Sequence, residues 1–227
     1  MSKNLIIAID GPSGSGKSTI AKYLADKLSA VYIDTGAMYR AITFSAMRLG
    51  IVSDLDAVIK MTKQLEMFLK YENGNIRVFV NDEEVTDNIR TKEVNDRVSD
   101  ISKIPEVREE LVKIQRKLGE SNTVVAEGRD ITTVVFPNAD LKIFLTASID
   151  VRAERRLKEF LDKGINISLG EVKENLEKRD RIDSGRETSP LTKADDAFVV
   201  DSTSMTIKDE LDFLLKKLGE VKNPLKF

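Results

Sequence analysis

The sequence predicts an α/β fold, a parallel sheet covered by helices on both faces, on three observations. Short apolar runs rich in β-branched residues recur at 5–9, 31–33, 123–126, 141–145 and 198–200. Longer stretches with apolar residues at helical spacing separate them, the rhythm of βαβ units with strands buried on both sides. A Gly/Ser-rich turn follows the first run, where the strand ends of such a sheet carry their ligand. The 227 residues suit one domain with insertions.

Taken in order, the first run leads into Gly11, Pro12, Ser13, Gly14, Ser15, Gly16, Lys17, Ser18 and Thr19. This fits G-x-x-x-x-G-K-[ST], whose small residues let successive N–H groups converge on an anionic phosphate. Lys17 adds a positive charge for the β- and γ-phosphates, and Ser18 a hydroxyl for Mg²⁺. Ile20, Leu24 and Leu28 place a helix behind the loop, with its N-terminus facing the anion. The pattern predicts binding of a nucleoside triphosphate.

The second run ends at Asp34-Thr35-Gly36, and a helix with Ala41, Phe44, Ala46, Met47 and Leu49 on its apolar side is expected next. Ser53 with Asp56 reads as a partial capping box. Leu55, Val58, Ile59, Leu65, Phe68 and Leu69 then form the buried stripe of one helix. A turn at Asn73-Gly74-Asn75 opens a hairpin, with Ile76, Val78 and Val80 alternating before Asn81-Asp82 turns the chain toward 83–85. Pro105 starts a helix with Val107, Leu111, Ile114 and Leu118 on one face and Gly119 at its end. Another helix begins near Ile149, and the chain from 151 to 186 is polar and arginine-rich. Ser184 and Gly185 suggest a break between Arg179 and Arg186. Ile207, Leu211, Leu214, Leu215 and Leu218 form the core face of a C-terminal helix.

Composition narrows the chemistry. Charged residues make up 33% of the chain at a net charge of −2, so no basic excess points to nucleic acid. No apolar run is long enough to span a membrane, and none resembles a signal peptide, so a cytoplasmic setting is expected. Without cysteine there are no disulfides or thiolate metal sites, and without histidine the commonest general base is missing. Phosphoryl transfer needs positioning and positive charge more than protein covalent chemistry, which suits this inventory. A phosphate acceptor is already anionic, whereas a hydroxyl acceptor would call on a carboxylate such as Asp34 or Asp130. A regulatory GTPase is the contrasting class, but the N-K-x-D segment of guanine readers is absent.

Beyond the phosphate loop, several segments in series carry a resemblance. They are 34–40 (DTGAMYR), 88–91 (NIRT), 127–130 (EGRD), 133–137 (TVVFP), 179–186 and 201–203 (DST). With these the chain resembles the bacterial cytidylate kinase family over nearly its whole length. The resemblance implies a phosphate-loop NTPase core (about 1–36, 120–150 and 195–227), a monophosphate-binding insertion (about 37–119) and a mobile lid (about 151–190). It implies ATP as donor, CMP or dCMP as acceptor, Mg²⁺ as cofactor, and a monomer. Thr35, Tyr39 and Arg40 would line the acceptor site, and Ser99, Arg108 and Asp130 would read the cytosine edge. Arg40, Arg129 and Arg186 match phosphate contacts, and Arg179 and Asp183 match positions that hold the sugar and close the lid. Lys17, Arg129, Arg179 and Arg186 would serve catalysis, and Arg155 would contact the adenine or the lid. A uridylate or metabolite-hydroxyl kinase of the same fold is the alternative. Two departures stand out: Ser18 follows the loop lysine where some members have glycine, and Glu127 replaces a frequent aspartate.

Overall fold

Residues 4–72, 74–162 and 164–222 are described in the computed structural model, and they form two sheets of different kinds. Residues 1–3 and 223–227 of the expected core, and Asn73 of the expected turn, lie outside the described residues. The main sheet is built from β1 (Ile6–Asp10), β2 (Val31–Asp34), β6 (Val124–Gly128), β7 (Leu141–Thr146) and β8 (Phe198–Asp201). Their order is β2-β6-β1-β7-β8 and every pairing is parallel. The central strand β1 has neighbours on both edges and helices on both faces, which is why Ile7, Ala8 and Ile9 are all apolar and fully buried.

Strand alternation divides the core in two. Ile7, Ile9, Tyr32 and Val125 face α1 (Lys17–Leu28) and α8 (Ile207–Lys222), meeting Ile20, Leu24 and Leu214. Ala8, Ile33 and Ala126 face the other way, toward Met38 and Ile42 of α2 (Thr35–Arg48) and Val107 and Leu111 of α5 (Pro105–Glu120). Burial of each Val, Leu, Ile or Met among them is worth about 1.5–3 kcal/mol, so the two layers dominate the stability of the sheet. Among the described residues no helix is long and apolar enough to cross a membrane.

The second sheet is antiparallel, of order β3 (Met67–Glu72), β4 (Asn75–Val80), β5 (Glu83–Glu84), and it corrects two expectations. α3 (Leu55–Gln64) stops early, so Leu65, Phe68 and Leu69 are not part of its stripe. The chain continues instead as β3, paired with β4. Met67, Leu69 and Tyr71 are the more buried residues of β3, and Phe68 lies on its exposed face, stacked on Phe79 at 4.6 Å. A period of two won over the helical spacing. The cap of α3 is Asp54, which accepts from the Ala57 amide, rather than Ser53.

α4 (Lys92–Ser102) was not anticipated. Thr91 caps it, and Val94, Val98 and Ile101 form its narrow buried stripe. α6 (Ile149–Leu161) and α7 (Leu169–Gly185) follow β7, and a full capping box at Ser168 and Glu171 starts α7. α7 runs unbroken through Ser184 and Gly185, so no break separates Arg179 from Arg186. Arg186 instead caps the helix.

The ladder register sets the strand ends level. Asp10 stands opposite Gly128, and Asp34 opposite Glu127, so three loops leave the sheet side by side. Close approach there demands glycine. A Cβ on Gly11 would lie 1.9 Å from the Leu145 backbone oxygen of the neighbouring strand, a clash that no side-chain rotation relieves. Gly11→Ala is therefore expected to lower the thermal unfolding midpoint by roughly 5–10 °C, the scale of a 2–3 kcal/mol overpacking penalty in a chain of this size. A scan showing an unchanged midpoint would contradict this packing.

Candidate active site

The three level strand ends open into one cavity of about 380 Å³. Its lining brings together Ser13, Gly14, Gly16, Lys17, Ser18 and Thr19 of the phosphate loop with Thr35, Tyr39 and Arg40 of α2. Ser99, Arg108, Arg129, Asp130, Arg179, Asp183 and Arg186 complete the set. Gly11, Pro12 and Ser15 of the same loop are not in the lining. Arg155 is not in the lining: its guanidinium donates to the Ser202 hydroxyl and carbonyl, both at 3.0 Å.

The loop is held on its anion-binding geometry before any anion arrives. Gly16 caps α1 with φ of 94°, a left-handed backbone that leaves the first helical amides free of a side-chain cap. Lys17 is folded back, donating to the Pro12 carbonyl at 2.7 Å and the Ser15 hydroxyl at 3.3 Å. Burial, with the charge of Arg129 nearby, pulls its pKa down to about 7.

Asp10, at the end of β1, is fully buried and accepts three hydrogen bonds. The Ile131 amide donates at 2.8 Å, and the Thr132 amide and hydroxyl at 2.7 and 2.6 Å. This clamps the five-residue helical turn Ile131–Val135 to β1 and thereby fixes Arg129 and Asp130, which precede it. Burial nevertheless pushes the Asp10 carboxyl up to about 6, against the three donors.

Two buried clusters of opposite design adjoin in the cavity. In one the Arg108 guanidinium binds the Asp130 carboxylate, donates to the Ser102 carbonyl at 2.7 Å, and lies 5.2 Å from the Tyr39 ring centroid. In the other, Arg129 Nε donates to Asp183 Oδ2 at 2.8 Å, while Arg186 Nη1 stands 4.0 Å from Asp183 Oδ1. Burial raises the Asp183 carboxyl, yet Arg129 and Arg179 outweigh it and hold the group below its ordinary value. Arg179 is pulled down to about 10 by burial and by the charge of Arg129.

Positive charge is in surplus. Nine Lys and Arg side chains line the cavity against five Asp and Glu. Four of those arginines, Arg40, Arg108, Arg179 and Arg186, each leave a buried N–H with no hydrogen-bond partner. A buried donor without an acceptor costs about 1–3 kcal/mol, so these groups await anionic oxygens. For a metal, no cluster of three or more acidic, His or Cys side chains exists among the described residues. The Ser18 hydroxyl and the Asp34 and Glu127 carboxylates are the oxygen donors beside the loop. That set fits a hard divalent cation that arrives with phosphate and water ligands.

Other side chains in and around the lining carried no assigned role in the sequence, although Arg152 and Arg156 fall in its arginine-rich stretch. Arg156, on α6, faces the cavity beside Glu159 and Phe160. Arg152, one turn earlier, is buried under the loop, donating to the Ser13 and Ala147 carbonyls at 3.0 Å and pairing with Asp180 at 2.7 Å. Their i,i+4 spacing was the available signal. Arg90 and Asn95 also line the cavity, and the NIRT segment had pointed to the first.

Residues 7–220 match the family model for cytidylate kinase. The chain belongs to the cytidylate kinase family. It is 47% identical over 220 residues to the cytidylate kinase of Fusobacterium nucleatum, covering 96% of this chain and 99% of that one. The Geobacillus thermodenitrificans cytidylate kinase is 49% identical over 221 residues, covering 97% and 99%. A crystal structure of an uncharacterized protein from Eubacterium ventriosum matches with a TM-score of 0.53 at 14% identity, covering 96% of this chain and 99% of that one. That likeness is one of fold. The cytidylate kinase family match thus spans the main sheet, the small sheet and every cluster described above.

The lowered Lys17 value has a measurable consequence. An unfolded lysine keeps its proton up to its ordinary value of 10.5, so this group adds stability to the ligand-free chain as pH rises from 7 toward that value. A triphosphate beside the amine would favour its protonated form again. Binding of metal-free ATP at pH 8 is expected to be accompanied by proton uptake, read by calorimetry in buffers of different ionisation enthalpy. Lys17→Met should abolish the uptake, and buffer-independent heats for the wild type would contradict it.

Proposed function

We propose that this chain transfers the γ-phosphate of ATP to CMP or dCMP, giving CDP or dCDP with Mg²⁺, as a cytoplasmic monomer. One observation supports this above the others: a single cavity joins an anion-binding loop to a fixed Arg–Asp pair across an excess of unpartnered guanidinium donors. ATP phosphates lie on the loop amides with Lys17, and Ser18 holds the Mg²⁺ that shields their charge. The acceptor phosphate lies among Arg40, Arg129 and Arg186, and Arg179 joins them around the transferring group. That group passes between two anions, so neutralisation by fixed cations is the main protein contribution. The acceptor oxygen is already ionised, and no general base is required. Tyr39 backs the acceptor, while the Thr35 hydroxyl is engaged by the Glu127 carbonyl at 2.7 Å.

Base choice rests on Ser99, Arg108 and Asp130. Cytosine presents an amino donor at C4 and an acceptor at N3, and uracil reverses both. A carboxylate already paired with Arg108 accepts from the amino group and repels the uracil carbonyl, while Arg108 donates to N3. In a panel of nucleoside monophosphates with ATP and Mg²⁺, ADP release is expected with CMP and dCMP far above UMP. Asp130→Asn should narrow the CMP-over-UMP ratio of kcat/KM by about 1–3 kcal/mol. Equal loss on both substrates would remove Asp130 from base reading.

The insertion over 37–119 then carries the acceptor site, and 151–190 acts as the lid. α7 brings Arg179, Asp183 and Arg186 to the cavity, yet among its described residues only Val172 and Leu176 are buried apolar groups. So thin an apolar anchor suits a segment that opens locally. Hydrogen exchange across α7 is expected to slow when a bisubstrate analogue binds. Identical protection with and without it would count against a closing lid.

A further inference from the structure

Tyr32 belongs to the main-sheet core and also lines the cavity. Its ring is 1% exposed, packed among Ile20 and Leu24 of α1 and edge-on to Tyr71 of β3 at 5.2 Å. Its hydroxyl donates to Glu127 Oε1 at 2.5 Å. By strand alternation Tyr32 and Asp34 share the face of Val125 and Glu127, and Asp34 sits opposite Glu127 in the ladder. Two carboxylates placed across from each other repel. Glu127 is also buried, which with the Asp34 charge raises its pKa, and Lys17, Ser18 and Tyr32 oppose that rise. Tyr32 supplies a donor to one oxygen and leaves the other for the loop side, where Lys17 and Ser18 line the same cavity.

We infer that Tyr32 is a positioning residue, aiming the Glu127 carboxylate at Ser18 and at the water shell of the cation that arrives with ATP. The inference rests on the phosphoryl-transfer reading, in which Ser18 holds that cation. Packing alone does not explain the hydroxyl. Phenylalanine would fill the same space among Ile20, Leu24 and Tyr71, and would take one donor from the buried Glu127 carboxylate, leaving it Ser18 and Lys17. The small sheet enters the site through the same contact, because Tyr71 on β3 sets the edge against which the Tyr32 ring rests.

The test is a double-mutant cycle on binding rather than on turnover. ATP affinity is measured by calorimetry with Mg²⁺ and with EDTA, for the wild type, Tyr32→Phe, Glu127→Gln and the double variant. Tyr32→Phe is expected to reduce the Mg²⁺-dependent gain in affinity on the order of tenfold, with metal-free binding unchanged. Glu127→Gln should show the same signature, and adding Tyr32→Phe to it should change nothing further. A Tyr32→Phe effect of equal size with and without Mg²⁺, or one that persists in full beside Glu127→Gln, overturns the inference. A wild type whose ATP binding gains nothing from Mg²⁺ would instead strike at the reading on which it rests.

Discussion

The site depends on one buried carboxylate. Asp10 closes β1, and its two oxygens receive every donor offered by the start of the turn after β6. It therefore couples the phosphate loop, which begins at the next residue, to Arg129 and Asp130, more than a hundred positions away. Burying an ionised carboxylate costs several kcal/mol unless hydrogen bonds replace its water, and three replace it here. The remaining unease shows as the raised pKa near 6. The fold accepts that cost because the alternative is a loop and a cation pair free to drift apart. A misplacement of about 1 Å is enough to lose much of the benefit of fixed charges.

Around this anchor, the molecule arranges charge by contrast. The Arg108–Asp130 pair is balanced, nearly inaccessible and built to present directed donors and acceptors. The Arg129–Asp183 side is unbalanced, with Arg179 and Arg186 crowding the same carboxylate. The first arrangement suits a neutral heterocycle with a hydrogen-bonding edge, and the second suits multiply charged phosphates.

Much of this was legible in the sequence, and the failures have physical causes. The five parallel strands could be read because burial on both faces leaves a continuous apolar run. β3 could not, because Leu65, Phe68 and Leu69 also satisfy a helical spacing, and only pairing with β4 decides for period two. α4 escaped because its buried stripe is three residues wide in an otherwise polar stretch. In the site, the phosphate loop and the arginines of 179–186 announce themselves by local pattern. The Asp10–Thr132 and Tyr32–Glu127 contacts join residues 122 and 95 positions apart, so no local pattern marks them. Arg155 and Arg156 differ by one position, but a helix turns about 100° between them, enough to send one to Ser202 and the other into the cavity.

The unpartnered guanidinium donors have a consequence for how such a sequence can change. Arg186 faces Asp183 and donates to the Ser189 carbonyl at 2.6 Å, whereas Arg179 is pulled down by burial and by Arg129, so an apolar residue at 179 would relieve a buried charge. On the proposed function, the same substitution would remove a phosphate contact. Robustness and the proposed chemistry are therefore antagonists at that position, and a library selected for heat resistance alone would drift toward folded but inert chains. Resilience has to be gathered elsewhere, on the exposed faces of α3, α5 and α8, where side chains bear on the helix and not on the ligand.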